Sequence, residues 1–267
     1  MSSVFKFHGR GIYLKEVLKV GCFRFDINIG ENTTNRAIKS LENQTVQCKD
    51  IIRVDNISPF YKAINKGISL VKTNFFIQCD ADMILDPDCL GTMLKFVRKD
   101  VGVVIALLSD ELLGVVQAIK LFRTDCLKKV RFSNNISPDT ECINHLRKLG
   151  WNYVFAKRAR SRFGHSRDVL GVHHPQYTPM YTFEKFKVEG SRIRYRGVYQ
   201  EFISCIEKLK KSDHPMAQYA LIGVCRGFFI KDTKDGLKSY KPSRDFKELE
   251  RFFENNNKKN VDFSITK

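Results

Sequence analysis

AINKGISLVKTNFFIQCDADMILDPDCL, residues 63–90, sets a helical run, a short apolar strand and two Asp-X-Asp tripeptides end to end. Ile64, Ile68 and Val71 share one helical face, and Phe75 to Cys79 is an aromatic and β-branched run that predicts a buried strand. Asp80-Ala81-Asp82 closes that strand, where carboxylates of an open α/β sheet face a ligand crevice. The tripeptide alone proves little, because 17 Asp in 267 residues supply about one by chance. Context separates the two copies. Asp86-Pro87-Asp88 precedes Leu90, Met93, Leu94 and Val97 at helical spacing, so Asp86 reads as an N-cap and Pro87 as the first residue of a helix over 87–99. Asp80 and Asp82 have no such duty, and two carboxylates flanking one residue can seat a divalent cation beside a phosphate.

Working outward, strands alternate with helices. Cys22 to Ile29 reads as a strand, Thr33 or Thr34 caps a helix bearing Ala37, Ile38 and Leu41, and Ile51 to Val54 is a second strand ending at Asp55-Asn56. Ser58-Pro59 opens the helix that carries Phe60, Ile64 and Ile68. Val101 to Leu108 is a fourth strand and Leu113 to Phe122 a fifth. Ser137-Pro138 opens a helix with Ile143, Leu146 and Leu149, stopped by Gly150, and residues 153–156 read as a further strand. This order predicts an α/β fold with a mostly parallel central sheet flanked by helices. Beyond residue 181 the text is basic and mostly helical, with Phe202–Lys210, Met216–Gly223 and Arg244–Glu254 as helical runs and a frayed tail from Asn255. Gly30-Glu31-Asn32 stands where a Gly-X-Gly-X-X-Gly would, which argues against an NAD-type Rossmann domain and a P-loop.

Composition narrows the class. At 43% hydrophobic, the chain can bury a real core. Its eight cysteines are scattered without a Cys-X-X-Cys pair and read as reduced packing residues, neither a disulfide framework nor a zinc site. No apolar stretch approaches the roughly 18 residues of a membrane span and no signal-peptide core opens the chain, so the cytosol is the expected compartment. The net charge of +17 is uneven: residues 1–142 hold 20 Lys/Arg against 16 Asp/Glu, and residues 143–267 hold 26 against 13. An anionic partner of the second half is expected, whether nucleic acid, a membrane surface or phosphorylated small molecules.

Several stretches together resemble family 2 glycosyltransferases of the GT-A fold: NRAIKSLENQT (35–45), IIRVDN (51–56), residues 63–90 quoted above, and SPDTECINHLRKLGW (137–151). The resemblance spans roughly residues 23–180 and rests on order and spacing. It implies a GT-A-like, Rossmann-related catalytic domain over 1–180, with a nucleotide-sugar part over about 22–110 and an acceptor part over about 111–180. Residues 181–267 would form the helical basic extension. Asp26-Ile27-Asn28-Ile29 replaces the family's usual first-strand end, Pro138-Asp139 keeps only the second acid of its Glu-Asp pair, and the Gln-X-X-Arg-Trp signature of processive members is absent. Single-sugar transfer is therefore expected over polymer synthesis.

By this resemblance, the chain is an inverting, metal-dependent enzyme that moves one sugar from a nucleotide-diphosphate sugar, UDP-linked first, to a glycan or lipid-linked acceptor. Asp82 would bind Mn²⁺ or Mg²⁺, Asp80 the ribose or a metal-bound water, and Asp55 the base or ribose. Asp139 is the implied general base, with Glu141 nearby. His173 and His174 would complete the metal shell or touch the diphosphate, with His165 competing. The run Lys157–Arg162, with Arg167, reads as a diphosphate clamp, a face against anionic lipid, or a solvated loop. Phe183, Phe186, Phe202, Phe228 and Phe229 beside the positive charge suggest peripheral attachment to the inner face of a membrane. The alternative is a nucleic-acid-binding protein using the basic half, though no recognisable binding signature accompanies the charge, and no nucleic-acid partner is expected. A haloacid-dehalogenase-type phosphatase also places Asp-X-Asp after a strand, but Ile84 and the two preceding βα units speak against it.

Overall fold

The computed structural model describes residues 19–23, 33–48, 50–54, 57, 59–229 and 243–257. In chain order these form β1 (Lys19–Phe23), α1 (Thr33–Glu42), β2 (Asp50–Val54), α2 (Phe60–Leu70), β3 (Phe75–Asp80), β4 (Met83–Leu85) and α3 (Cys89–Leu94). There follow β5 (Val101–Asp110), β6 (Gly114–Arg123), α4 (Thr124–Leu127), α5 (Pro138–Lys148), β7 (Asn152–Phe155) and β8 (Val169–His173). The last described elements are α6 (Pro179–Arg196), α7 (Tyr199–Lys210), α8 (Ala217–Phe229) and α9 (Arg244–Asn257). Two compact units divide it. One takes residues 1–110, 115–132 and 139–174; the other takes 111–114, 133–138 and 175–267.

The first unit carries an eight-stranded sheet in the order β2-β1-β3-β6-β5-β8-β4, with β7 also paired to β5. β1 runs parallel to β2 and β3, and β5 runs parallel to β7 and β8. β6 is antiparallel to β3, and β4 is antiparallel to β8. The sheet is therefore mixed. Only residues 111–113 separate β5 from its neighbour β6, too few for the crossover that a parallel return requires.

Strand alternation splits the core into two clusters. Ile77 and Cys79 of β3 join Val104, Ala106 and Leu108 of β5 in one; Phe76 joins Val103, Ile105 and Phe122 in the other. Phe76 and Phe122 stack with centroids 5.4 Å apart. Cys142 and Leu146 of α5, at i and i+4, pack into that second cluster. Cys79, Cys89, Cys126, Cys142 and Cys205 are buried as packing thiols.

In the second unit, α6 and α8 approach through glycine. A Cβ on Gly227 would lie 1.8 Å from the Lys187 carbonyl oxygen, one on Gly190 2.1 Å from that of Val224, and one on Gly223 2.4 Å from that of Phe183. Only a residue without a side chain permits such backbone contact.

Several expectations are corrected here. The helix expected over 87–99 is the shorter α3, with Asp88 at its N-cap position and no side-chain cap. The Asp86 carboxylate does not cap; it accepts a hydrogen bond from Arg158 Nη2 at 2.6 Å. Ser137 Oγ is buried without a hydrogen-bond partner, so it does not cap α5 either. Phe183, Phe186, Phe202 and Phe228 are buried, which withdraws them from any membrane-facing surface; Phe229 alone of the five is exposed. The first strand is described only as β1, and the rest of the expected 22–29 strand lies outside the described residues.

Candidate functional site

Gln78 of β3 pairs in register with Lys120 of β6. Alternation puts Phe76, Gln78 and Asp80 on one face of β3, so Asp80 emerges where the Phe76–Phe122 cluster ends. On α5, Asp139 precedes Cys142 by three residues and Leu146 by seven, on the same stripe that packs against this face. The helix thereby delivers its first-turn carboxylate to the strand ends. Lys120 Nζ meets Asp139 Oδ2 at 2.7 Å and donates to the Ala118 carbonyl at 3.3 Å. Asp139 Oδ1 is buried with no hydrogen-bond partner.

The turn after Asp80 places Asp82 against β8. His174 N–H donates to the Asp82 carbonyl at 2.7 Å, and Met83 faces His173 in the β4–β8 register. His173 Nε2 lies 3.2 Å from Asp82 Oδ2, while its Nδ1 lies 2.6 Å from Asp110 Oδ2. Asp110 is the last residue of β5 and is fully buried. The Asp110 carboxylate fixes the ring through Nδ1 and leaves Nε2 turned towards Asp82, the carboxylate–histidine arrangement that orients a metal-binding imidazole.

Electrostatics follow from this crowding. Burial, with Asp82 and Asp139 close by, pushes the Asp80 carboxyl up to about 6, while Lys120 and a 3.4 Å hydrogen bond from Gln78 Nε2 work the other way. Among the described residues, no three His, Cys, Asp or Glu side chains are already spaced as a metal cage. Two carboxylates and one imidazole nonetheless suit Mg²⁺ or Mn²⁺, which take few protein ligands and complete their shell with water and substrate phosphates. The raised Asp80 carboxyl supports that fit, since a bound cation would relieve it.

The structure thus brings together Asp80, Asp82, Asp139 and His173, with His174 present through its backbone. Asp55 lies outside the described residues. His165 is held elsewhere, its Nδ1 2.9 Å from Asp86 Oδ2. Arg158 is buried and bonded to both Asp86 and Asp88 at 2.6 Å, so it clamps no diphosphate. Sequence reading missed Lys120 and Asp110. Each had a signal: Lys120 interrupts the apolar run Ala118–Phe122, and Asp110 closes the apolar run of β5.

Residues 59–111 match the family model described as Glycosyl transferase family 2. No curated protein sequence matches the chain. Among solved structures, similarity is found to the mannosyltransferase PcManGT from Pyrobaculum calidifontis in complex with GDP-Man and Mn²⁺, at 10% identity, 78% of this chain, 68% of that one and a TM-score of 0.49. S. aureus TarS (1–349) matches at 11% identity over 78% of this chain and 70% of that one, with a TM-score of 0.43. Glucosyl-3-phosphoglycerate synthase from Mycobacterium tuberculosis, in complex with Mn²⁺, UDP and phosphoglyceric acid, matches at 9% identity over 51% and 67%, with a TM-score of 0.40. Among the described residues no helix is long and apolar enough to cross a membrane.

Proposed function

We propose that this protein is an inverting glycosyltransferase that passes a single sugar from a nucleotide-diphosphate donor to a hydroxyl of a glycan or lipid-linked acceptor. The observation that carries the reading is the convergence of Asp80, Asp82 and Asp139 at the strand ends, within and beside the segment that matches the family model. Asp82 and His173 would hold a divalent cation, and Asp80 the ribose or a cation-bound water. When bound, that cation would neutralise charge on the departing diphosphate. Asp139 would accept the acceptor's hydroxyl proton through Oδ1, the oxygen left without a partner, while Lys120 fixes the carboxylate by Oδ2. UDP-sugars come first among donors by the family resemblance.

A thermal-shift screen of UDP-, GDP-, CMP- and dTDP-sugars with and without Mn²⁺ tests this, because a ligand selective for the native state raises apparent stability. One nucleotide class should stabilise the parent in a Mn²⁺-dependent way, and Asp82→Ala should remove that gain. Asp139→Asn should keep donor binding and lose roughly 10²–10⁴-fold in transfer. No response to any nucleotide sugar, or an Asp82→Ala protein that still responds fully, would refute the assignment.

A further inference from the structure

The loop between β7 and β8 carries a strained aromatic at its tip. Arg162 and His165 exchange backbone hydrogen bonds of 3.2 and 2.9 Å, which leaves Phe163-Gly164 as a two-residue hairpin turn. Both central residues have positive φ, 54° for Phe163 and 74° for Gly164, as a type I′ turn demands. Gly, Asn and Asp accept this conformation; a bulky side chain is a true outlier there. Phe163 is the sole non-glycine among the described residues with positive φ, and its side chain is 48% exposed.

The surrounding loop is rigid and cationic. Arg158 N–H closes its base on the Arg167 carbonyl at 2.7 Å. The buried Arg158 side chain binds Asp86 and Asp88, and His165 binds Asp86 from the other side. Residues 157–167 contain no acid, and Lys157, Arg160, Arg162 and Arg167 are exposed in the same loop as Phe163, Arg162 lying 3.5 Å from Asp88 and Arg167 3.8 Å from Asp168. Phe163 joins none of the described hydrophobic clusters, and its ring lies against the Arg158 and Arg162 guanidinium groups. The combination matches a membrane interface, where aromatic rings sit at headgroup depth and cations meet anionic lipid.

We propose that loop 157–167 docks the protein on an anionic lipid surface, with Phe163 entering the interface and Lys157, Arg160, Arg162 and Arg167 meeting the headgroups. Charge complementarity selects this occupant over an apolar protein partner. A single-stranded nucleic acid fits less well, because the Arg158 and Arg162 guanidinium carbons already lie 5.5 and 5.1 Å from the ring centroid, over the face a base would stack on. This places membrane contact on the first unit, on a loop that leads directly into β8 and its His173, and not on the C-terminal phenylalanines. The inference rests on the loop alone, so its failure leaves the transfer reading untouched.

The test is flotation of the full chain with phosphatidylglycerol/phosphatidylcholine vesicles against pure phosphatidylcholine at low salt. Binding should require phosphatidylglycerol, and Arg160→Gln or Arg162→Gln should each weaken partition about fivefold, the equivalent of about 1 kcal/mol per cation. Phe163→Asn should weaken it at least as much while staying folded, since Asn tolerates the turn. Brominated lipid should quench a Phe163→Trp variant and leave the parent, whose single tryptophan is Trp151, unaffected. Unchanged binding in Phe163→Asn would overturn the proposal. So would loss of binding in a Tyr199→Ser/Phe229→Ser variant of the second unit instead. Absence of vesicle binding alongside tight, arginine-dependent binding of single-stranded DNA would assign the loop to nucleic acid.

Discussion

Replacing Asp80 by Asn should stabilise the protein while removing its activity. In the fold the Asp80 proton is held to about pH 6, against 3.8 for the free side chain. The native state therefore binds that proton more tightly than the unfolded chain, and stability falls as pH rises from 3.8 towards 6. Above 6 the penalty is complete, at about 3 kcal/mol from 1.36 kcal/mol per pH unit, and roughly half of it is already present at about pH 5. Asn keeps an oxygen for the Gln78 amide and carries no charge beside Asp82 and Asp139. Urea denaturation in EDTA at about pH 7.5 should show the variant ahead of the parent by up to about 3 kcal/mol, or on the order of 5–10 °C in Tm for a chain of this size. The gap should close towards pH 4. Mn²⁺ should stabilise the parent and not the variant, because the cation compensates the same charge that Asn deletes. Equal stabilities in EDTA at about pH 7.5, or a less stable variant, would refute the account of Asp80 as a carboxylate under electrostatic load.

Three further substitutions probe separate parts of the structure. Asp110→Asn removes the charged partner of His173 Nδ1, 2.6 Å away, and should weaken Mn²⁺ binding, read by calorimetry, about 10–100-fold with little change in fold. Arg158→Leu takes the buried guanidinium from Asp86 and the partly buried Asp88, leaving them His165 and Arg162, and should cost up to about 3–5 kcal/mol in urea denaturation; adding Asp86→Asn and Asp88→Asn should recover part of that loss. Gly227→Ala would put a methyl group 1.8 Å from the Lys187 carbonyl oxygen, a backbone contact that cannot yield by rotamer change. Its cost should reach or exceed the 1–3 kcal/mol of ordinary overpacking and lower the unfolding temperature of the α6–α8 unit.

Periodicity in the sequence was enough for the elements that bury one continuous face. The run Phe75–Cys79 became β3, the Ile64–Ile68 stripe became α2, and the helix after Ser137 became α5. Asp80, Asp82 and Asp139 were legible because each sits at the end of such an element. β4 and β8 were not, since β4 has only three residues and their pairing joins segments more than eighty residues apart. The carboxylates of Asp86 and Asp88 were misread for a related reason. Acids beside a proline look like a helix cap locally, and only the fold brings Arg158 to them across seventy residues. The C-terminal phenylalanines show the limit of composition: aromatic content beside positive charge does not say which way a ring points, and Phe202 and Phe228 stack on each other at 3.8 Å.

The chain carries a net charge of +17, yet the strand ends gather Asp80, Asp82, Asp110 and Asp139 around Lys120 and His173. Asp82 and Asp110 meet the two nitrogens of one imidazole, and Asp139 meets an ammonium. At Asp80 burial and the neighbouring acids outweigh Lys120 and Gln78, and its proton affinity is raised. Folding alone would favour a neutral side chain at this position. A raised carboxyl at the end of a buried strand, with Asp82 two residues away, is what the proposed cation would relieve, and in its absence the charge costs the fold stability. On this argument the two Asp-X-Asp tripeptides differ in how their charge is balanced. Asp86 and Asp88 are bonded to Arg158, whereas the Asp80 carboxyl is raised by burial beside Asp82 and Asp139.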